Sequence, residues 1–183
     1  MKHFETVTHG IDISELHAQL EAQPELWNEH LGRANPDSPH FGVSDIWVRY
    51  RAARDLTKPQ HFAEPHWAEY YPIWDKLPAL KPIVFDLMHK LEATYLGGIL
   101  VTKIPPGGRV KPHHDRGSWH AETMDTKVYV GVQSNSGCVN FCGDESLVIN
   151  AGDAVVFNNQ IVHSVENNGT TDRITAIICM RRN

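Results

Sequence analysis

The sequence predicts a mainly β fold with flanking α-helices, in which the second half of the chain carries most of the strands. From residue 98 onward, eight short segments with strand character follow one another, separated by turns rich in Gly, Pro, Asn and Asp. Clear helical periodicity is confined to the first half, so the alternation of a βαβ fold is not seen. Short strands at such close spacing are typical of a jelly roll or a small barrel.

The first helix is predicted near the beginning of the chain, at Asp12–Ala22. Ile13, Leu16 and Leu20 recur there at helical spacing and would form one apolar face. Pro24 follows almost directly, and its missing N–H and fixed φ mean that it either ends this helix or begins a new one.

A loop and a strand are predicted next. Asn35–Gly42 is rich in Pro, Asp, Ser and Gly, which is typical of loop. Asp45–Arg51 alternates apolar and polar residues, which is the period of a strand. This alternation would place Ile46, Val48 and Tyr50 on one face.

The longest helical pattern lies at Pro82–Leu96. Its apolar stripe consists of Val84, Leu87, Met88, Leu91 and Tyr95. Pro82 suits a first helical turn, and the glycines at 97 and 98 suit a helix end. We expect such a stripe to cover one face of a sheet rather than to bind a cofactor.

The second half is predicted to consist of strands joined by turns. They are Ile99–Ile104, Arg109–Pro112, Lys127–Gln133, Cys138–Cys142, Ser146–Ile149, Ala154–Phe157, His163–Glu166 and Ile174–Met180. We therefore predict one domain over residues 1–183, in which residues 1–97 form a helical, aromatic cap and residues 98–183 form the jelly-roll core.

Composition and charge limit the class of protein. The formal net charge of −5 argues against binding to nucleic-acid phosphates. The first ten residues are polar, and no stretch reaches the roughly 20 apolar residues that a membrane span needs. Three cysteines without a signal peptide are typical of reduced thiols. We therefore expect a cytoplasmic protein that binds neither nucleic acid nor membrane; its oligomeric state does not follow from the sequence.

Two histidines, a carboxylate and an arginine form the most informative pattern. His113 and Asp115 are two residues apart, His163 lies fifty residues after His113, and Arg173 follows ten residues later. Two imidazoles and one carboxylate can occupy one face of an octahedron, which suits non-haem Fe(II). The arginine could hold a carboxylate in a bidentate manner. Because neighbouring strand residues point to opposite faces, His113 rather than His114 should share a face with Asp115.

Each of these residues taken alone has a simpler explanation. His113, Asp115 and His163 could lie on surface loops, and Arg173 could pair with an acid such as Asp153. The four together, at the ends of predicted strands, favour a metal site instead. An arginine that points into a barrel must be paired, since burying it alone would cost several kcal/mol.

The run from Thr102 to Met180 resembles the jelly-roll Fe(II)/2-oxoglutarate oxygenases, specifically the aspartyl/asparaginyl β-hydroxylase group. The resemblance is strongest at IPPGGRVKPHHD and INAGDAVVFNNQIVHSVENNGTTDR. The matching residues are Gly107, Pro112 and His113, then Gly152, Asp153, Phe157 and His163, and finally Asn167, Asn168 and Arg173. It implies a double-stranded β-helix core of the jelly-roll, cupin-like type.

The resemblance also implies a reaction. Fe(II) would be held by His113, Asp115 and His163, which are then the metal ligands and the catalytic residues. The enzyme would be a dioxygenase that uses O₂ and 2-oxoglutarate, hydroxylates a C–H bond and releases succinate and CO₂. The expected substrate is an amino-acid side chain, free or in a peptide, or another small polar molecule.

Four residues are implied to bind 2-oxoglutarate. Arg173, with Thr102, would hold its distal carboxylate. The group carries an R-x-H element that contacts the other end of the co-substrate, and Lys127 and Tyr129 stand in its place. Lysine supplies the charge of arginine without its planar fork.

Substrate contacts are expected from two segments. Arg49 lies on the predicted strand Asp45–Arg51 and could pair with a substrate carboxylate or form a surface salt bridge. Arg116, Trp119 and His120 lie between Asp115 and Lys127, in a segment that is either an ordinary loop or a substrate lid.

Two other functions fit the same pattern. A cupin-type metalloenzyme that does not use 2-oxoglutarate would share the metal ligands but would not need Arg173. A non-catalytic jelly-roll binding protein would need neither the metal nor the co-substrate, and metal content together with a 2-oxoglutarate thermal shift would separate the three functions.

Overall fold

A computed structural model describes residues 2–33, 35–55, 61 and 63–182. Within these ranges the strands are β1 Phe4–Thr8, β2 Ser44–Tyr50, β3 Glu69–Tyr70, β4 Ala93–Ile104, β5 Arg109–His113, β6 Thr126–Gln133, β7 Cys138–Cys142, β8 Glu145–Val148, β9 Ala154–Phe157, β10 His163–Asn167 and β11 Arg173–Arg182. The α-helices are α1 Ser14–Ala22, α2 Ile73–Lys76, α3 Leu80–Lys90 and α4 Trp119–Thr123, and short 3-10 turns occur at Pro24–Leu26 and Ala53–Asp55.

The strands form two antiparallel sheets. The larger sheet has seven strands in the order β1-β9-β6-β11-β4-β2-β3, and the smaller has four in the order β5-β10-β7-β8. Consecutive strands of the chain therefore often belong to different sheets, as in a jelly roll. The predicted fold class, mainly β with flanking helices and a double-stranded β-helix core, is confirmed.

The larger core lies between the helices and the larger sheet. Leu16 of α1 and Val84 of α3 are fully buried there, together with Val48, Ile99 and Ala176 from the sheet. Burying a side chain of the size of Leu or Ile contributes roughly 1.5–3 kcal/mol to stability. The helical stripes thus cover one face of the sheet, as predicted.

The opposite face of the larger sheet meets the smaller sheet. Tyr129, Phe157 and Ile177 from the larger sheet pack with Cys142 from the smaller one. Strand parity divides β11 between the two cores: Ile174, Ala176 and Ile178 belong to the larger core, and Ile177 belongs to the inter-sheet core. Arg173 shares the parity of Ile177 and therefore points between the sheets.

The eight strands predicted in the second half all correspond to observed strands. The ranges Cys138–Cys142 and Ala154–Phe157 agree at both ends. The proposed division between residues 97 and 98 falls inside β4, and β1 to β3 from the first half belong to the larger sheet.

The prediction of a helix through Leu96 is wrong at its C-terminal end. Helix α3 ends at Lys90, and the chain turns at Glu92, whose φ of 53° is left-handed. Ala93–Leu96 then belongs to β4 and pairs with the end of β11. Leu91 and Leu96 are buried in the larger core. A helix and a strand would both place apolar residues there, so their apolar character did not distinguish the two.

Among the described residues, two strands and two α-helices have no counterpart among the sequence predictions: β1, β3, α2 and α4. Strand β1 pairs with β9 at the edge of the larger sheet, and α2 and α4 are single short turns of helix. Within the described part of the chain, no helix has the length and apolar character required to cross a membrane.

Candidate metal centre and adjoining cavity

The two candidate histidines face each other across neighbouring strands. His113 is the last residue of β5, His163 is the first residue of β10, and the antiparallel register pairs them directly. Their ring centroids are 4.3 Å apart. His114 is exposed. The strands therefore bring together the two histidines predicted as ligands, His113 and His163.

A tight turn brings Asp115 to the same place. Its N–H donates to the carbonyl of Asn159 at 3.0 Å, and its own carbonyl accepts from the Ser118 hydroxyl at 2.9 Å. The same hydroxyl accepts from the N–H of Ala121 at 3.2 Å and so caps α4. Gly117 has a φ of 83°, a conformation that glycine adopts without strain.

Two histidine nitrogens and one carboxylate oxygen converge at this point. Nε2 of His113 lies 3.5 Å, and Nε2 of His163 lies 3.8 Å, from Oδ1 of Asp115. The Nδ1 atoms donate to the carbonyls of Lys111 at 2.8 Å and Ile161 at 2.9 Å. Since a carbonyl only accepts, each Nδ1 carries the proton and each Nε2 presents a lone pair. Among the described residues, neither buried Nε2 has a hydrogen-bond partner.

Electrostatics keep the three side chains in the forms that bind cations. Burial lowers the pKa of His113 and lowers that of His163 to about 4, so both imidazoles are neutral at pH 7. Burial alone would raise the pKa of Asp115, but the charge of Lys127 outweighs it and holds this pKa well below its usual range. Neutral imidazole and ionised carboxylate are the states that ligate a metal.

Lys127 and Asn159 hold the second carboxylate oxygen of Asp115. The ammonium of Lys127 lies 2.6 Å from Oδ2, and Nδ2 of Asn159 donates to the same oxygen at 3.2 Å. Burial alone would lower the pKa of Lys127, and the Asp115 charge reverses this shift and raises it. Lys127, predicted to contact the co-substrate, thus contacts a candidate metal ligand and leaves Oδ1 facing the histidines.

Arg173 is buried between the sheets without a carboxylate partner. It is 2% exposed, and one N–H donates to Oδ1 of Asn140 at 2.8 Å. Asp153, the acid considered from the sequence, instead contacts His9 at 2.6 Å. Within the described residues, no carboxylate forms an ion pair with Arg173. Its guanidinium lies 5.6 Å from the centre of the Tyr129 ring.

Thr102 and Tyr129 lie on the strands that flank Arg173. Thr102 on β4 is paired with Thr175 of β11, two residues beyond Arg173, and is 3% exposed. Tyr129 on β6 packs against Phe157, with ring centroids 4.5 Å apart. Three neighbouring strands of the larger sheet therefore carry the predicted co-substrate residues Thr102, Tyr129 and Arg173.

A cavity of about 810 Å³ opens beside Asp115. Loop residues before β2, strands of the larger sheet and α4 contribute its walls. Its lining includes Arg33, His40, Trp47, Tyr50, Gly98, Leu100, Asp115, His120, Lys127, Tyr129, Asn159, Ile177 and Cys179. Arg173 and Thr102 are buried but are not among the lining residues.

One of the four residues expected at the substrate side lines this cavity. His120 does so from α4, and burial lowers its pKa to about 3. Arg49 instead places its guanidinium over the Tyr70 ring at 4.8 Å. Arg116 is exposed and donates to a loop carbonyl at 2.8 Å, and Trp119 is not among the lining residues.

Several cavity residues did not emerge from the sequence. A shift in register between Trp47 and Arg49 interrupts the alternation of β2, so Tyr50 joins Trp47 at the cavity rather than Ile46 and Val48 in the core. Asn159 lies in a turn, where no periodicity indicates direction. Arg33 lies in the loop before β2, where no periodicity in the sequence indicates which way a side chain points.

Comparisons with known proteins agree with this description. The sequence profile of the aspartyl/asparaginyl beta-hydroxylase family matches residues 66–183. None of the curated proteins matches the chain in sequence.

Three solved structures illustrate the likeness of fold. A viral collagen prolyl hydroxylase from Paramecium bursaria Chlorella virus-1, in a 2-oxoglutarate complex, has a TM-score of 0.56 and 11% identity, covering 100% of this chain and 97% of that one. A prolyl-4-hydroxylase from Pseudomonas putida has a TM-score of 0.56 and 15% identity, covering 99% and 93%. The non-haem α-ketoglutarate-dependent epimerase SnoN from nogalamycin biosynthesis has a TM-score of 0.60 and 16% identity, covering 98% and 78%.

Proposed function

The chain belongs to the aspartyl/asparaginyl β-hydroxylase family, and on that premise we propose that it is an Fe(II)- and 2-oxoglutarate-dependent dioxygenase. In this proposal it hydroxylates a C–H bond of an amino-acid side chain, free or in a peptide, or of another small polar substrate. Succinate and CO₂ are the co-products. The hydroxylases with the same fold support the class of reaction.

One observation carries the proposal: three ligand atoms face one point while the other polar atoms of the same side chains are occupied. Nε2 of His113 and His163 are buried without partners in the described chain, and Oδ1 of Asp115 lies within 4 Å of both. A divalent cation would satisfy all three atoms at once. Two imidazoles and a carboxylate are the ligand set of non-haem Fe(II) sites.

The second requirement is a partner for Arg173. Its buried guanidinium would bind the distal carboxylate of 2-oxoglutarate through charge-assisted hydrogen bonds, assisted by Thr102 and Tyr129. Tyr129, the ring beside this guanidinium, belongs to an apolar cluster with Phe157 and Ile177, and apolar surroundings of this kind would strengthen the ion pair. When bound, iron with 2-oxoglutarate would supply the oxidising chemistry.

Lys127 is proposed as the residue that positions Asp115. We expect Lys127→Met to weaken Fe(II) binding by about 10- to 100-fold, the usual effect of losing a group that orients a metal ligand. Lys127→Arg, which keeps the charge, should lose less. Anaerobic Fe(II) titration followed by intrinsic tryptophan fluorescence would measure this. Equal Fe(II) affinity in Lys127→Met and the wild type would remove the positioning role.

Anaerobic addition of Fe(II) and then 2-oxoglutarate to the purified protein tests the function itself. We expect a weak visible charge-transfer band, and a stabilisation of roughly 2.7 kcal/mol when 2-oxoglutarate is present at about 100 times its dissociation constant. N-oxalylglycine, an inert analogue, should give the same stabilisation.

The other outcomes point to the alternatives. Bound metal without a response to 2-oxoglutarate would favour a cupin-type metalloenzyme that does not use this co-substrate. The absence of any metal would favour a non-catalytic binding protein.

A further inference from the structure

A second arginine lies at the substrate side of the cavity. Arg33 belongs to the loop before β2 and lines the cavity together with His40. Its side chain is 15% exposed. The His40 ring packs edge-on against His113, with centroids 4.8 Å apart. Arg33 therefore contacts His40, and His40 in turn contacts His113, a candidate metal ligand.

The guanidinium of Arg33 is held in place but is far from saturated. Among the described residues, it donates one hydrogen bond, to Nδ1 of His40 at 2.5 Å. It also lies 3.6 Å from Oδ1 of Asp45, a separation longer than the 2.7–3.2 Å of an N–H···O hydrogen bond. Arginine has five N–H donors, so, as far as the described residues go, most of them could bind a molecule in the cavity.

Within the described chain, Asp45 is the acid that forms an ion pair with Arg33, but it does not occupy the cavity. It is 4% exposed on β2 and is not among the residues that line the cavity. Its Oδ1 has no hydrogen-bond partner among the described residues. Asp45 therefore lies near the guanidinium from outside the cavity, and no described residue other than His40 accepts a hydrogen bond from Arg33.

An apolar wall stands in the same cavity. Trp47 and Tyr50 contact each other with ring centroids 5.2 Å apart, and Tyr50 stacks on His120 at 4.5 Å with a 12° angle between the planes. Leu100 also lines the wall. Gly98 makes room for the stack, because a Cβ there would lie 2.9 Å from the Tyr50 ring.

We propose that Arg33 binds a carboxylate of the substrate and that Trp47, Tyr50 and Leu100 contact its apolar part. This inference rests on the proposed function and adds the substrate class to it: an anionic, carboxylate-bearing molecule. Arg49, considered for this role from the sequence, is not among the residues that line the cavity, whereas Arg33 is.

Matched acids and amides test the charge requirement. The probes are 3-phenylpropanoic acid and 3-phenylpropanamide, added to protein loaded with Fe(II) and N-oxalylglycine without O₂, with binding measured by thermal shift and calorimetry. The acid should bind the wild type and the amide should bind much more weakly. Arg33→Gln should weaken binding of the acid by at least about 30-fold, the usual minimum for removing one partner of a buried charge pair. Arg33→Lys should be less affected.

Two controls separate this effect from misfolding and from failure of the proposed function. Arg54→Gln removes an arginine whose side chain is 74% exposed and should bind the acid as the wild type does. N-oxalylglycine affinity should be unchanged in Arg33→Gln. Loss of N-oxalylglycine binding by the wild type would contradict the proposed function, not the role of Arg33.

Three results would overturn the inference. They are equal binding of the acid and the amide, no binding of either, and an Arg33→Gln variant that binds the acid normally. A loss of N-oxalylglycine affinity in Arg33→Gln would also overturn it, since Arg33 would then serve the co-substrate.

A further pair of probes distinguishes the source of the carboxylate. N-acetyl-L-glutamine carries it at the α-carbon, and its isomer N-acetyl-L-isoglutamine carries it on the side chain. Preference for the first supports a free acid as substrate, and preference for the second supports an acidic side chain within a peptide. If Arg33→Gln bound each isomer as tightly as the wild type does, the result would contradict the proposed role of Arg33.

Discussion

Removing either histidine of the metal centre should abolish iron binding and turnover while the chain remains folded. In His113→Ala and His163→Ala, a ligand atom is lost from the three that converge. Losing a group that merely orients a ligand costs about 10- to 100-fold in metal affinity, so loss of a ligand itself should exceed about 100-fold. Anaerobic Fe(II) titration and succinate release would measure both effects.

The acidic ligand needs a different substitution. Asp115→Ala would leave the buried ammonium of Lys127 without its partner at 2.6 Å, and breaking a buried ion pair in this way costs about 3–5 kcal/mol of stability. Asp115→Asn keeps the volume and the hydrogen-bonding oxygen while removing the charge, and it should also lose iron.

His114→Ala is the matched control for these variants. His114 is exposed and adjacent to His113, so its removal should leave iron affinity and circular dichroism unchanged. Normal iron affinity in any two of the three ligand variants would contradict the assignment of the triad.

Arg173→Met should weaken 2-oxoglutarate binding by at least about 30-fold, and by up to several thousand-fold. Truncating one partner of a buried charge pair costs about 2–5 kcal/mol, which corresponds to this range at 1.4 kcal/mol per factor of ten. Fluorescence titration with 2-oxoglutarate in the presence of Mn(II) would measure it. Arg173→Lys, which keeps the charge without the planar fork, should be intermediate.

The stability of the same variant separates a functional role from a structural one. Arg173 has no carboxylate partner in the described chain and donates to Asn140, so its burial is unfavourable without the co-substrate. Replacement by an apolar side chain of similar length should leave the unfolding free energy of the co-substrate-free protein within about 1 kcal/mol, or raise it. A large loss of stability with normal 2-oxoglutarate affinity would show that Arg173 is structural.

The sequence predicted those parts of the site that depend on strand periodicity. His113 and His163 end and begin short strands with clear turns between them, and the period of two decided between His113 and His114. Arg173 shares the parity of Ile177 on β11, and its inward direction followed from that alternation. For each of these residues, the alternation of its neighbours along the chain was enough to predict which way its side chain points.

Residues placed by loops, turns and register shifts were not predicted. Arg33 reaches the cavity because a loop without periodicity folds over the sheets, and Asn159 reaches Asp115 from a turn. Tyr50 was assigned to the wrong face because β2 shifts its register after Trp47. Helix α3 was extended too far because Leu91 and Leu96 satisfy both helical and strand patterns.

The position of β11 has a consequence for how this protein is made. Strand β11 follows all the other strands of the described residues and lies at the middle of the larger sheet, between β6 and β4. During synthesis, β6 and β4 have no common neighbour until β11 has left the ribosome, so the larger sheet can close only after β11 has been made. The pairing of β11 with β4 joins residues far apart in sequence, and such non-local pairing slows folding. The arginine that would retain the co-substrate arrives with this closing step.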